Sequence, residues 1–173
     1  MMARLTPGPF VWLVPITIVI DQICKWFVEA RLAYAEPVPF VPFISLYRTW
    51  NEGIAFSMLA GMDKIAIVAI ALVVLMFVTY LWWSAERRRW LSRLGFALIW
   101  GGAVGNLIDR IWHGHVIDFI LVHTQTWSFA IFNTADSFIS VGAGAVILDE
   151  LLMWWRSRSG GADHGSSDGK TGV

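Results

Sequence analysis

Charge is scarce in this chain. Of 173 residues only 15% are Asp, Glu, Lys or Arg, whereas 57% are apolar, with eleven Trp, eleven Phe and a mean hydropathy of +0.60. A soluble domain of this size needs more charge on its surface, so the composition points to a polytopic membrane protein. Basic and acidic residues balance at 13 each, which leaves no case for nucleic-acid binding. The single cysteine, Cys24, excludes an internal disulfide framework and a multi-thiolate metal site. Ser57, Ser128 and Ser137 have no His or Lys base in their segments, so a serine mechanism has no dyad. His113-Gly114-His115 supplies two histidines without a third ligand and reads as a solvated loop, so neither metal nor other cofactor is expected.

What is abundant is long apolar runs. About 20 apolar residues cross the hydrocarbon, and four stretches qualify: 10–28, 65–83, 94–112 and 132–155. Arg4 precedes the first, Arg87, Arg88, Arg89 and Arg93 lie between the second and third, and Arg156 and Arg158 follow the fourth. The other loops hold only Arg31, Arg48, Lys64 and Arg110, so the positive-inside rule puts both termini in the cytoplasm. Trp82, Trp83, Trp90, Trp154 and Trp155 fit an interfacial belt on that side. Asp21 and Lys25 interrupt the first run, and no A-x-A-like site follows cleanly, so it reads as a retained helix rather than a cleaved leader. Residues 1–158 form a single membrane domain on this reading. The run from Arg156 onward is rich in Gly, Ser and Asp, and 159–173 reads as a disordered cytoplasmic tail.

The loop after the first span is too long for a simple turn. Pro37, Pro39 and Pro42 exclude a helix, the alternation from Phe43 to Trp50 predicts a strand, Asn51-Glu52-Gly53 a turn, and Ile54 to Leu59 a return strand. The expected fold is therefore a membrane all-α bundle of four transmembrane helices, with a small extracytoplasmic β-sheet over about 36–60, between helices 1 and 2, cradling an amphiphilic substrate.

The remaining polar residues gather at one depth. Asp21 and Lys25 lie at the outer end of the first span, Asn106, Asp109 and Arg110 at the outer end of the third, and Asn133 and Asp136 at the outer start of the fourth. Asp118 sits in the connection between the last two spans. An ionisable group beside a bilayer is a functional hypothesis by default, and two carboxyls meeting at one depth suggest an acid/base pair. Each residue also has a structural reading. Asp21 and Lys25, four apart, share a helix face and form an ion pair with the lysine stem reaching outward, or Asp21 fixes the sheet and its Asn51 turn. Asp109 pairs with Arg110. Asn106 and Asn133 cap helices or bond between them, and Asp136 is a first-turn acid favoured by the helix dipole. Gly101, Gly102 and Gly105 let a neighbouring helix approach closely; a phosphate-cradling loop is excluded because no strand precedes them and no Lys follows.

Five boxes occur in order: Asp21-Gln22-Ile23-Cys24-Lys25, Asn51-Glu52-Gly53-Ile54-Ala55-Phe56-Ser57, Gly105-Asn106-Leu107-Ile108-Asp109-Arg110, Val116-Ile117-Asp118-Phe119 and Phe132-Asn133-Thr134-Ala135-Asp136. Together they closely resemble the bacterial lipoprotein signal peptidases (signal peptidase II). The resemblance implies an inner-membrane aspartyl endopeptidase that removes signal peptides from diacylglyceryl-modified prolipoproteins, cutting before the lipidated cysteine, in contact with membrane lipid and as a monomer. It implies Asp118 and Asp136 as the catalytic pair, supported by Asp21, Lys25, Asn51, Gly53, Asn106, Asp109, Arg110 and Asn133. Ile54 departs from the Ala that many members carry there, which bears on substrate fit rather than on chemistry. A small transporter with a carboxylate proton relay is the rival class, but the acids cluster at one end and no inverted repeat is present. A non-catalytic membrane scaffold leaves Asp118 and Asp136 unexplained.

Overall fold

The computed structural model describes residues 9–53, 63–86 and 88–160. A short 3-10 turn, Pro9–Trp12, leads into α1 (Leu13–Arg31); α2 (Lys64–Ser84), α3 (Trp90–Trp112) and α4 (Thr134–Gly160) follow. All four helices are long and apolar enough to cross a membrane. Helix α3 is the inner member of the bundle and packs against each of the others. Helix α2 carries no charge from Ile65 to Trp83 and buries little of itself in protein, so its surface suits lipid. Its start is set by Asp63, whose carboxylate accepts the Ile65 N–H at 2.7 Å.

Between the helices lies one antiparallel sheet in the order β1 (Pro37–Val41), β2 (Ile44–Asn51), β3 (Val116–His123), β4 (Ser128–Phe132). The prolines of β1 are tolerated because β1 is a sheet edge, where a missing N–H breaks no inner ladder. The strand expected from Phe43 to Trp50 is present as β2. The expectation that the sheet belongs to the loop between α1 and α2 is corrected: half of it comes from the connection between α3 and α4. Val116 to His123 is an apolar run that looks like the tail of a helix, but Gly114 at φ +89° turns the chain and β2 supplies a ladder, with Thr49 opposite Asp118 and Trp50 opposite Ile117. The return strand expected from Ile54 to Leu59 lies outside the described residues. Val28 near the end of α1 packs with Ile117 and Phe119, so the sheet is seated on the bundle.

Helix α1 runs from Leu13 to Arg31 rather than over 10–28, α2 extends one residue beyond 65–83 at each end, and three further limits differ from expectation at α3 and α4. Helix α3 starts at Trp90 rather than at 94, because Arg89 and Ser92 find partners on α4: Arg89 Nε meets Asp149 at 2.8 Å, Arg89 Nη2 meets Glu150 at 2.6 Å, and Ser92 donates to Asp149 at 2.5 Å. Helix α4 starts at Thr134 rather than at 132, since Phe132 ends β4 and Asn133 caps the helix. Helix α4 also runs through Gly160, so the first residues of the expected tail are helical; the rest lies outside the described residues.

Candidate active site

The α1, α3 and α4 ends nearest the sheet bring nine polar side chains together, Asp21, Gln22, Lys25, Asn106, Asp109, Arg110, Asn133, Thr134 and Asp136, five of them buried. Asp21 and Lys25 lie one turn apart on α1, so both face α3. Lys25 is 2% exposed and its ammonium touches Asp21 and Asp109, each at 2.7 Å, and donates to Asn106 Oδ1 at 3.0 Å. All three ammonium hydrogens thus have partners, and a cation at this depth is stable only when so neutralised. The expectation that the lysine stem reaches outward is corrected, because two carboxylates hold it inside. The Asp109–Arg110 pair is corrected too. Asp109 is taken by Lys25, by Gln22 at 2.9 Å and by the Ile117 N–H at 3.3 Å, while Arg110 reaches the Gly53 carbonyl at 2.8 Å and that of Asn106 at 3.2 Å.

Asp21 does not reach the Asn51 turn. Its second oxygen accepts from the Thr134 hydroxyl at 2.6 Å and the Ala135 N–H at 2.9 Å, at the N-terminus of α4. A carboxylate there satisfies helix donors that have no partner within the helix and complements the dipole. The local sequence builds the rest of that terminus. Asn133 Oδ1 accepts the Asp136 N–H at 3.0 Å and Asp136 Oδ2 accepts the Asn133 N–H at 3.3 Å, a reciprocal capping box. The structural readings of Asn133 as a cap and Asp136 as a first-turn acid therefore hold, and both side chains retain groups for a second task.

That task is contact with Asp118. Asn133 Nδ2 donates to Asp118 Oδ1 at 2.6 Å and Asn51 Nδ2 to Asp118 Oδ2 at 2.9 Å, so each oxygen of the carboxyl has one amide donor. Asn51 is itself held by the Gly53 N–H on its carbonyl at 3.0 Å. Asn106 Nδ2 donates to Asp136 Oδ1 at 2.8 Å, and its Oδ1 accepts from Asn133 at 3.2 Å as well as from Lys25. One continuous chain of bonds runs from Lys25 through Asn106 to Asp136 and through Asn133 to Asp118. Both carboxyls line a single cavity of about 500 Å³, with Asn51 and Arg110 beside them and Phe132, Ile139 and Val141 on its apolar walls.

Asp118 is 3% exposed, and its pKa is pushed up from 3.8 to about 6. Burial is the main cause, the negative charge of Asp136 adds to it, and the amide hydrogens of Asn51 and Asn133 oppose it. A carboxyl in this range exchanges a proton near neutral pH, as a general acid or base must. All ten residues singled out from the sequence, Asp21, Lys25, Asn51, Gly53, Asn106, Asp109, Arg110, Asp118, Asn133 and Asp136, belong to this network or its immediate frame. Gln22 was missed. Its position beside Asp21 in an apolar helix, a polar residue where none is needed, was the available signal. Ile54 and Phe56 lie outside the described residues.

Comparison with known proteins agrees in sequence and in fold. The family model described as Signal peptidase (SPase) II matches residues 13–152. Lipoprotein signal peptidases of Brucella ovis and Brucella melitensis are each 52% identical over 147 residues, covering 85% of this chain and 92% of theirs. A bacterial membrane enzyme solved by the in meso method at 2.3 Å resolution superposes with a TM-score of 0.76 over 99% of both chains at 22% identity. Another, at 1.9 Å, gives 0.72 over 82% of this chain and 92% of its own at 25% identity.

Proposed function

Because the chain belongs to the signal peptidase II family, and is thus a multi-pass membrane peptidase, we propose that it removes signal peptides from diacylglyceryl-modified prolipoproteins by aspartyl catalysis, with Asp118 and Asp136 as the catalytic pair. The observation that carries this reading is that the two carboxyls line one cavity and are tied together by Asn133, which caps the helix of one and donates to the other. Two nearby carboxyls in a partly dry site hold one proton between them. The ionised member takes a proton from water as that water attacks the scissile carbonyl, and the protonated member donates to the carbonyl oxygen. The tetrahedral adduct then collapses with proton transfer to the leaving nitrogen, giving a free α-amine on the lipidated cysteine and a carboxylate on the signal peptide. Asn51, Asn106 and Asn133 keep the carboxyls oriented, Lys25 with Asp21 and Asp109 fixes α1 and α3 beneath them, and Arg110 presents the Gly53 turn.

The pair sits where the apolar helices meet the sheet, a depth at which water reaches the bond while acyl chains remain in lipid. We place this end on the extracytoplasmic side of the bacterial inner membrane, with both termini cytoplasmic, since Arg88, Arg89 and Arg93 lie at the opposite end of α3. The protein acts as a monomer on this reading. The test is cleavage of one precursor peptide by purified protein. The lipidated form is cut before its cysteine, and the unlipidated form far more slowly, because binding of a remote anchor is used to orient the reacting carbonyl. Asp118→Asn and Asp136→Asn each lose at least ~100-fold in kcat/KM while remaining folded. Near-normal turnover by either variant sinks the assignment of the pair, and equal rates on the two forms sink the lipid requirement.

A further inference from the structure

Two cavities meet at Asp118. The larger, about 500 Å³, holds both carboxyls and is walled by the first two turns of α4. The smaller, about 270 Å³, is bounded by Thr49, Trp50 and Asn51 of β2 and by Phe129, Ala130 and Ile131 of β4, with Asp118 of the intervening β3 between them. Asn51, Asp118 and the three β4 residues belong to both, so these are two lobes of one groove.

The lobes differ in what they suit. A carbonyl attacked by water held at this pair lies in the larger lobe, the one that contains Asp136. That lobe follows α4, where Val141 (63% exposed), Ile147 and Leu148 carry an open apolar surface along the span. The apolar signal segment of a substrate matches it. A chain passing over Asp118 then has its far part in the smaller lobe. This lobe is about half the volume of the larger and carries the polar Thr49, Asn51 and Asp118 on its lining, so it suits a peptide side chain better than an acyl chain. Its wall at Asn51 is preformed, since that side chain is held on Asp118 at 2.9 Å and by the Gly53 N–H at 3.0 Å. The small residues on facing walls, Thr49 and Ala130, decide how much room is left.

Resting on the peptidase reading above, we propose that the smaller lobe is a specificity subsite for the residue that follows the lipidated cysteine of the substrate, with Thr49 and Ala130 setting the side-chain size it admits. A site filled from its wall rejects the larger of two side chains, and selectivity is the ratio of their kcat/KM values.

The experiment is a competition in detergent between two lipidated precursor peptides that differ only in carrying Gly or Trp after the cysteine. Both peptides meet the same enzyme, so the ratio of initial rates does not depend on the folded fraction. Thr49→Trp and Ala130→Leu should each widen the preference for the glycine peptide at least ten-fold over wild type. A second pair, differing at the residue before the cysteine, should keep its wild-type ratio in Thr49→Trp, since Thr49 lines the smaller lobe and not the larger, whereas Ala130 lines both. An unmoved ratio in Thr49→Trp, or an equal movement of the second pair in that variant, overturns the subsite while leaving the peptidase reading intact. Failure of the wild type to cut any of the peptides overturns the peptidase reading and the subsite with it.

Discussion

Each carboxyl at this site has different company, and that company decides its role. Asp21 and Asp109 share the Lys25 ammonium at 2.7 Å and take further backbone and side-chain donors. They are structural anions, and removing the lysine leaves two buried charges uncompensated. Asp118 has only neutral amide donors on its oxygens, so burial is not offset by a direct ion pair. Its folded pKa, about 6, lies above the ordinary 3.8. Between those values the folded protein holds a proton that the unfolded chain has released, so this group's contribution to stability is full below about pH 4 and is lost as pH rises through 6. The stability of wild type relative to Asp118→Asn should therefore fall by about 1.4 kcal/mol from pH 5 to pH 8, the rest of the ~3 kcal/mol having been lost below pH 5. Thermal unfolding of both proteins in one detergent across that range checks it. A constant difference contradicts the assignment of the raised value to Asp118.

At the scale of elements, the bundle depends on missing side chains. A Cβ on Gly95 meets the Gly142 carbonyl at 2.5 Å, and one on Gly142 meets the Gly95 carbonyl at 2.6 Å, so α3 and α4 touch backbone to backbone. Nearer the site, Gly101 faces Thr17, Gly102 faces the Ala135 carbonyl and Gly105 faces the Asp21 carboxylate, which packs α1, α3 and the start of α4 at one level. Gly142→Ala pushes a methyl into the Gly95 backbone and should cost ~1–3 kcal/mol in a detergent unfolding titration. Gly144→Ala, whose added methyl meets nothing within 4 Å, is the matched control and should stay within ~0.5 kcal/mol of wild type. Equal stability of the two variants argues against the close crossing. Because Asp136 rides on α4, Gly142→Ala should also slow cleavage.

For the whole molecule, the arginine bias and the position of the polar network must agree if the pair is to work at the outer surface. Topology reporters fused after Gly61 and near His115 should read extracytoplasmic, and those after Arg89 and Lys170 cytoplasmic. A cytoplasmic signal near His115 separates the pair from its proposed surface and ends the lipoprotein reading. The ion pairs of Arg89 with Asp149 and Glu150 pin α3 to α4 at the opposite end, so the bundle is tied by charge at both ends and by glycine contacts between them.

The amino-acid sequence by itself determined the solvent, the four spans, the strand before Asn51 and which polar residues the fold gathers at one end of the bundle. These follow from composition, run length, alternation and local boxes, which act over a few residues or through the bilayer and need no partner element. The conformation of Val116 to His123 was not legible, because a short apolar run becomes a strand only when an edge such as β2 offers its unpaired N–H and C=O groups. Nor was the choice of ion pair. Asp109 has Arg110 next to it in sequence, yet the crossing of α1 and α3 delivers Lys25, and a helix turns adjacent side chains about 100° apart. Asp21 capping the start of α4, 113 positions further along the chain, is a contact that only the packed bundle creates. Tertiary structure thus decided which polar group meets which, since in a dry interior each one must find a partner and only the three-dimensional arrangement says which is within reach.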